Sequence, residues 1–221
     1  MFPLYLYPNN DRHDLFAHHE ISERRPNLNQ KVVGALAAAY GRDSTPEEIF
    51  YYVYAVLYAL SYREKYVEFL RMDFPRIPFS ADREIFRAMA ALGERLTALH
   101  LLKSPDLDPP SARFDGDGDG KVAKSKSQGF SYDHEAQRVY INQTQYFAPV
   151  PAAVWLYQIG GYRVCEKWLK DRKGRKLALD DIRHYCRVVT ALARTIGIQR
   201  EIDMLYTEVE ADTIRFEGMP Q

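Results

Sequence analysis

Cysteine is scarce in this chain: Cys165 and Cys186 are the only two among 221 residues. Two thiols cannot make a disulfide scaffold or a four-ligand zinc site, and they point to a reducing compartment. Long hydrophobic runs are lacking too. The longest, Ile49 to Leu60, counts 12 residues with its tyrosines included, where a membrane span needs about 20. The start, Met1-Phe2-Pro3-Leu4-Tyr5, has neither the basic end nor the cleavage site of a signal peptide. A soluble, cytoplasmic protein without a membrane partner is the expectation. Net charge is absent as well, since 30 basic residues balance 30 acidic ones. Disorder is not expected, because the hydrophobic share of 46% is ordinary for a globular chain that can bury a core.

The neutral average hides a sorted arrangement. Arg163 to Arg200 holds 11 Lys/Arg against 4 Asp/Glu, and Glu201 to Gln221 reverses the balance to 1 against 6. Asp115, Asp117 and Asp119 sit just ahead of Lys121, Lys124 and Lys126. Solvated helix faces and a basic face for a polyanion both fit such sorting.

Residues 1–103 read as helical. Thr45-Pro46-Glu47-Glu48 combines an N-cap, a first-turn proline and a Glu three residues after the cap. The helix it opens carries Ile49, Phe50, Val53, Tyr54, Val56, Leu57 and Leu60 as a wide apolar stripe. Ser61-Tyr62-Arg63-Glu64 repeats the capping pattern and predicts a second helix to about Arg71. Prolines 75 and 78 then break the helix, and Ser80 restarts one carrying Ile85, Phe86, Met89, Leu92, Leu96, Leu99 and Leu102. Upstream, a helix from about Val32 to Tyr40 stops at Gly41. Residues 104–129, with Pro105, Pro109, Pro110 and the Asp-Gly repeats, read as a variable loop. Beyond it, in residues 130–221, the period changes to two. Phe130 and Tyr132, then Val139-Tyr140-Ile141, predict a β-hairpin, and Val154 to Ile159 a further strand closed by Gly160-Gly161. A basic helix is expected from about Tyr162 to Arg172, then a long one from Asp180 to about Val209. The fold class is α+β and helix-rich: an N-terminal helical bundle, a small antiparallel sheet and a long C-terminal helix.

Several motifs stop short of chemistry. Asp115-Gly116-Asp117-Gly118-Asp119-Gly120 begins like a calcium loop, but its twelfth position is Lys126, not Glu. The same aspartates would repel a phosphate. Asp108-Pro109-Pro110-Ser111 carries serine where a base-holding Asp-Pro-Pro-aromatic motif needs its aromatic ring, and reads as a proline-rich loop. His18-His19-Glu20 and His184 with Cys186 lack the spacing or further ligands of a metal site. Neither a Gly-x-Ser-x-Gly elbow nor a Walker loop is present. No catalytic or metal-ligating constellation is expected.

Three blocks carry a resemblance. They are Pro46 to Leu57 with Ser61-Tyr62-Arg63 and Asp73 to Phe79; Val139 to Asn142 with Gln145-Tyr146-Phe147 and Val150-Pro151; and Gln158-Ile159-Gly160-Gly161-Tyr162 through Lys167-Trp168-Leu169-Lys170-Asp171-Arg172-Lys173-Gly174-Arg175. Together they resemble the C-terminal specificity region of type ISP restriction–modification enzymes, single chains joining a nuclease, a translocase, an adenine methyltransferase and a target recognition domain. Ala178 departs from the family's usual serine and leaves Asp180 and Asp181 to favour the start of the last helix. The resemblance implies sequence-specific recognition of double-stranded DNA, with residues 1–103 linking to the methyltransferase domain. It implies no cofactor here, with S-adenosylmethionine, ATP and magnesium belonging to other domains of the parent enzyme. Phosphate contacts are then expected from Lys121, Lys124, Lys126, Lys167, Lys170, Arg172, Lys173, Arg175 and Lys176, and base reading from Asn142, Gln143 and Gln145. The alternative is a helical scaffold that docks the methyltransferase lobe and touches DNA little.

Overall fold

The computed structural model describes residues 3–7, 24–125, 127 and 129–216; His18, His19, Glu20 and Lys126 lie outside the described residues. The chain divides into two compact units, Met1–Glu94 with Glu201–Gln221, and Arg95–Arg200.

The first unit opens with a short antiparallel pair, β1 (Tyr5–Leu6) and β2 (Arg25–Pro26). Helix α1 (Gln30–Tyr40) is capped by the Asn29 side chain and ends at Gly41, whose φ of +67° suits glycine. In α2 (Pro46–Tyr58) the Thr45–Glu48 capping box forms in both directions, at 3.1 and 2.8 Å. The second capping signal fails. Two short helices follow, α3 (Leu60–Lys65) and α4 (Val67–Met72), interrupted at Tyr66, and the cap of α3 is Ala59. Ser61 instead donates its N–H and its hydroxyl to Asp203 Oδ1, at 3.0 and 2.8 Å.

Buried tyrosines hold the proline-broken segment that comes next. The Tyr62 hydroxyl donates to Arg76 O, Tyr52 to Pro78 O and Tyr40 to Ser80 O, at 2.9, 2.9 and 2.7 Å. An extended segment with prolines has few ladder bonds, and these hydroxyls satisfy its carbonyls. Tyr52 stacks between Phe79 and Phe86, with ring centroids 5.1 and 4.9 Å apart. In the part of α5 (Arg83–His100) within this unit, a Cβ on Gly93 would lie 1.9 Å from Tyr51 O, so glycine permits this close approach to α2.

The second unit holds a four-stranded antiparallel sheet in the order β3 (Arg113–Asp115), β6 (Tyr146–Ala148), β5 (Arg138–Tyr140), β4 (Ser131–Asp133). The β4–β5 hairpin matches its sequence pattern. Strand β3 lies inside residues 104–129, where the sequence reads as loop, and Phe114 packs against Phe147 at 4.8 Å. Residues 154–159 are not one strand. Pro151 caps a short helix, α6 (Ala152–Trp155), and only β7 (Gln158–Ile159) is extended, paired with β8 (Tyr162–Arg163). Pro151, with its φ of −57°, and the two alanines after it favour the helical turn. The basic helix is accordingly shorter, α7 (Val164–Lys170), and the last helix, α8, spans Leu179–Ala211.

The core of this unit gathers Val139, Ile141, Phe147, Val154, Leu169 and Tyr185, with Tyr185 4.3 Å from Phe147 and 5.0 Å from Trp168. Cys165 and Cys186 are buried and unbridged. Burial pushes their thiols up to about 12 and about 11, so both are neutral packing groups.

Candidate nucleic-acid interface

The structure joins two basic stretches that lie about 50 residues apart in the sequence. Gly120–Ala123 runs antiparallel to Gly174–Leu177: Val122 N–H donates to Arg175 O, Gly174 N–H to Val122 O and Leu177 N–H to Gly120 O, at 2.9, 2.7 and 2.9 Å. Lys121 and Lys176 face each other in this pairing. Val122 is fully buried and Ala123 nearly so, while Lys121 and Lys124 on either side of them are exposed. Lys121, Lys124, Lys173, Arg175 and Lys176 are all exposed. Glycine at 174 lets the Lys124 side chain cross, since a Cβ there would meet Lys124 Cε at 3.0 Å.

On its other side the 120–123 segment is bound to the amide cluster. Ala123 N–H donates to Ile141 O at 2.7 Å, and Asn142 Nδ2 to Lys121 O at 3.2 Å. Asn142 Oδ1 accepts from the N–H groups of Thr144 and Gln145, at 3.1 and 2.7 Å, closing an Asx-type turn. Gln145 is 4% exposed. Its Oε1 accepts from Gly120 N–H and from Asn142 Nδ2, at 2.8 and 2.9 Å. These bonds make Gln145 a frame residue, which corrects its assignment to base reading: a buried amide with internal partners does not reach a base edge. Asn142 is half-buried and shares the frame. Gln143 is exposed at the tip of the turn, and its side chain has no hydrogen-bond partner among the described residues.

The Asp-Gly repeats have a packing role here. A Cβ on Gly116 would lie 2.1 Å from Thr144 O, and one on Gly118 would lie 2.6 Å from Gln145 Oε1. The Thr144 hydroxyl donates to Asp117 O at 2.6 Å. Glycines at alternate positions thus let this segment lie directly on the amide turn. A cleft of about 610 Å³ results, lined among others by Lys121, Lys124, Asn142, Gln143, Thr144 and Gly174.

The remaining cations divide by role. Arg172 is held: its guanidinium lies 3.6 Å from the Trp168 ring centroid, donates to Trp168 O at 3.1 Å and pairs with Asp181 at 3.3 Å. It ties α7 to the start of α8. Asp181 also accepts from Ala178 N–H at 3.0 Å, half of a capping box. That hydrogen bond outweighs partial burial and, with Arg172 alongside, holds the carboxyl below its ordinary range. Lys167 and Lys170 are exposed on α7, paired with Asp171 and Glu166 at 2.8 and 2.7 Å. Surface i,i+4 pairs of this kind contribute little to stability. The proximity of residues 120–123 to 174–177 has no signal in local sequence, because it is a backbone pairing between distant segments.

By its fold the chain is a helix-rich α+β module of the kind found in restriction–modification enzymes. It belongs to the type ISP C-terminal specificity domain family, whose description matches residues 1–201. Several solved structures are similar, three of them as follows. The cryoEM structure of the DrdV–DNA complex shares 28% identity over 96% of this chain and 21% of that one, with a TM-score of 0.60. The type ISP enzyme LlaBIII bound to DNA shares 20% identity over 96% and 14%, with a TM-score of 0.60. A nuclease-deletion mutant of the type ISP enzyme LlaGI, in complex with a DNA substrate mimic, shares 20% identity over 72% and 14%, with a TM-score of 0.52. The chain therefore spans about a fifth or less of the length of these relatives. No curated protein matches it. Among the described residues, no helix is long and apolar enough to cross a membrane.

Proposed function

We propose that this chain recognises a target sequence in double-stranded DNA on behalf of a type ISP restriction–modification enzyme. The observation that carries the reading is the cleft in which the exposed Gln143 amide stands beside Lys121 and Lys124, with Lys173, Arg175 and Lys176 on the adjoining turn. Cations of this kind bind phosphates and fix register, while an amide pairs with adenine N6 and N7 in the major groove. In this reading Lys167 and Lys170 extend the backbone contact along α7. Methyl transfer, ATP hydrolysis and cleavage, with their S-adenosylmethionine, ATP and magnesium, belong to other domains of a parent chain. The sequence supports this by lacking a glycine-rich S-adenosylmethionine turn and a Walker loop.

The test is selection from a randomised duplex pool, with sequencing of the bound fraction. The parent chain is expected to enrich a defined motif, and Gln143→Ala to relax preference at one position by about 1–3 kcal/mol. A parent chain that enriches no motif overturns the reading.

A second reading concerns the first unit and has its own observation. A groove of about 890 Å³ is lined by Phe69, Phe74, Ile77, Phe79, Ile214 and Phe216, among others, with Phe69 67% and Phe74 77% exposed. Apolar surface of this kind suits a protein partner, and the methyltransferase domain of the parent chain is the one the family supplies.

A further inference from the structure

The β7–β8 ribbon carries exposed apolar side chains that the cleft does not use. Its strands pair Gln158 with Arg163 and Ile159 with Tyr162, so Ile159 and Tyr162 share one face and Gln158 and Arg163 the other. The turn between them is Gly160-Gly161, with φ of +57° and +83°, as a two-residue hairpin matched to strand twist requires. Nothing lies within 4 Å of a Cβ built on either glycine, so the tip stands clear of the described residues. Tyr162 is 63% exposed and Ile159 47%.

We infer that this ribbon is a second DNA contact, entering a groove of the duplex and setting Ile159 and Tyr162 against deoxyribose surfaces without reading sequence. The inference rests on the DNA-recognition reading above. Its partner is chosen by charge: between Leu156 and Lys176 the chain carries seven Lys/Arg against two Asp/Glu, whereas the centre of a protein–protein interface is depleted of charge. Lys167 Nζ lies 5.7 Å from the Tyr162 ring centroid, a cation beside the aromatic surface. Helix α7 separates ribbon from basic turn by about 10 Å at 1.5 Å per residue, close to the width of a major groove of about 12 Å. A phosphate strand on the Lys173–Lys176 turn therefore leaves the ribbon within reach of the groove beside it. Two-stranded ribbons enter that groove, and apolar side chains packed on its deoxyribose walls tolerate any sequence, because every nucleotide carries the same sugar.

Fluorescence titration of short labelled duplexes of unrelated sequence, at several salt concentrations, tests the inference with the full chain. Ile159→Ser/Tyr162→Ser is expected to bind every duplex roughly tenfold more weakly, as loss of buried apolar surface implies, with an unchanged salt slope, because apolar contacts release no counterions. Ile159→Leu/Tyr162→Phe keeps the apolar surface and is expected to bind like the parent. Melting temperatures of both variants should equal the parent's, since these side chains are exposed. The inference is overturned if the serine variant binds like the parent, as it would were the ribbon a protein-docking surface. It is equally overturned if the Leu/Phe variant loses as much affinity as the serine variant, or if weaker binding comes with a lower melting temperature. A parent chain that binds no duplex fails the DNA-recognition reading itself.

Discussion

Gln143 and Gln145 are two residues apart, carry the same amide and do opposite work. Gln145 is inside, accepting from Gly120 and Asn142, while Gln143 is outside with its amide directed to solvent. Replacing Gln145 by Ala removes the acceptor of the buried Gly120 N–H and opens a cavity, at a cost of about 2 kcal/mol or more in urea unfolding. The same change at residue 143 should stay within about 0.5 kcal/mol of the parent. Equal destabilisation of the two variants would contradict this division. Sequence alone groups these amides correctly as a cluster but cannot rank them, because an amide's exposure depends on the Asp-Gly segment that covers it.

At the scale of elements, what was legible is what is local. The capping box at Thr45, the glycine stop of α1, the β4–β5 hairpin and the long last helix each depend on neighbours within a few residues. Ser61 misleads because its partner, Asp203, lies 142 residues away. The tyrosine-clamped segment before α5 makes a further element-scale prediction. Burial raises Tyr40 and Tyr52 far above the ordinary value of 10.0, and raises Tyr62 in the same direction. A phenol raised in the folded state stays protonated there while its unfolded counterpart ionises. Its stabilising effect is therefore complete below about pH 10 and declines as pH rises beyond it. Alkaline titration should show exposed tyrosines ionising first and these three only as the chain unfolds, read as a cooperative second step in tyrosinate absorbance. A single non-cooperative step, with folded-state circular dichroism retained, would contradict the clamp.

At the scale of the whole molecule, the 30 basic and 30 acidic residues cancel in number but not in place. Binding to DNA should fall steeply with salt despite the zero net charge, because bound cations displace condensed counterions locally. Lys121→Ala/Lys176→Ala should flatten the plot of log affinity against log salt by about one unit for each phosphate no longer neutralised. An unchanged slope would reduce these lysines to a solvated face. The family and the fold class could be read from the chain, but the gathering of Lys121 and Lys176 could not. The frame around that gathering has a consequence for how such proteins diversify. Its glycines, the Gln145 amide and the paired backbone of residues 120–123 and 174–177 define the cleft without using the side chain at 143. On the proposed reading, a lineage can exchange that one residue, and with it the sites addressed across a genome, while its fold is inherited intact.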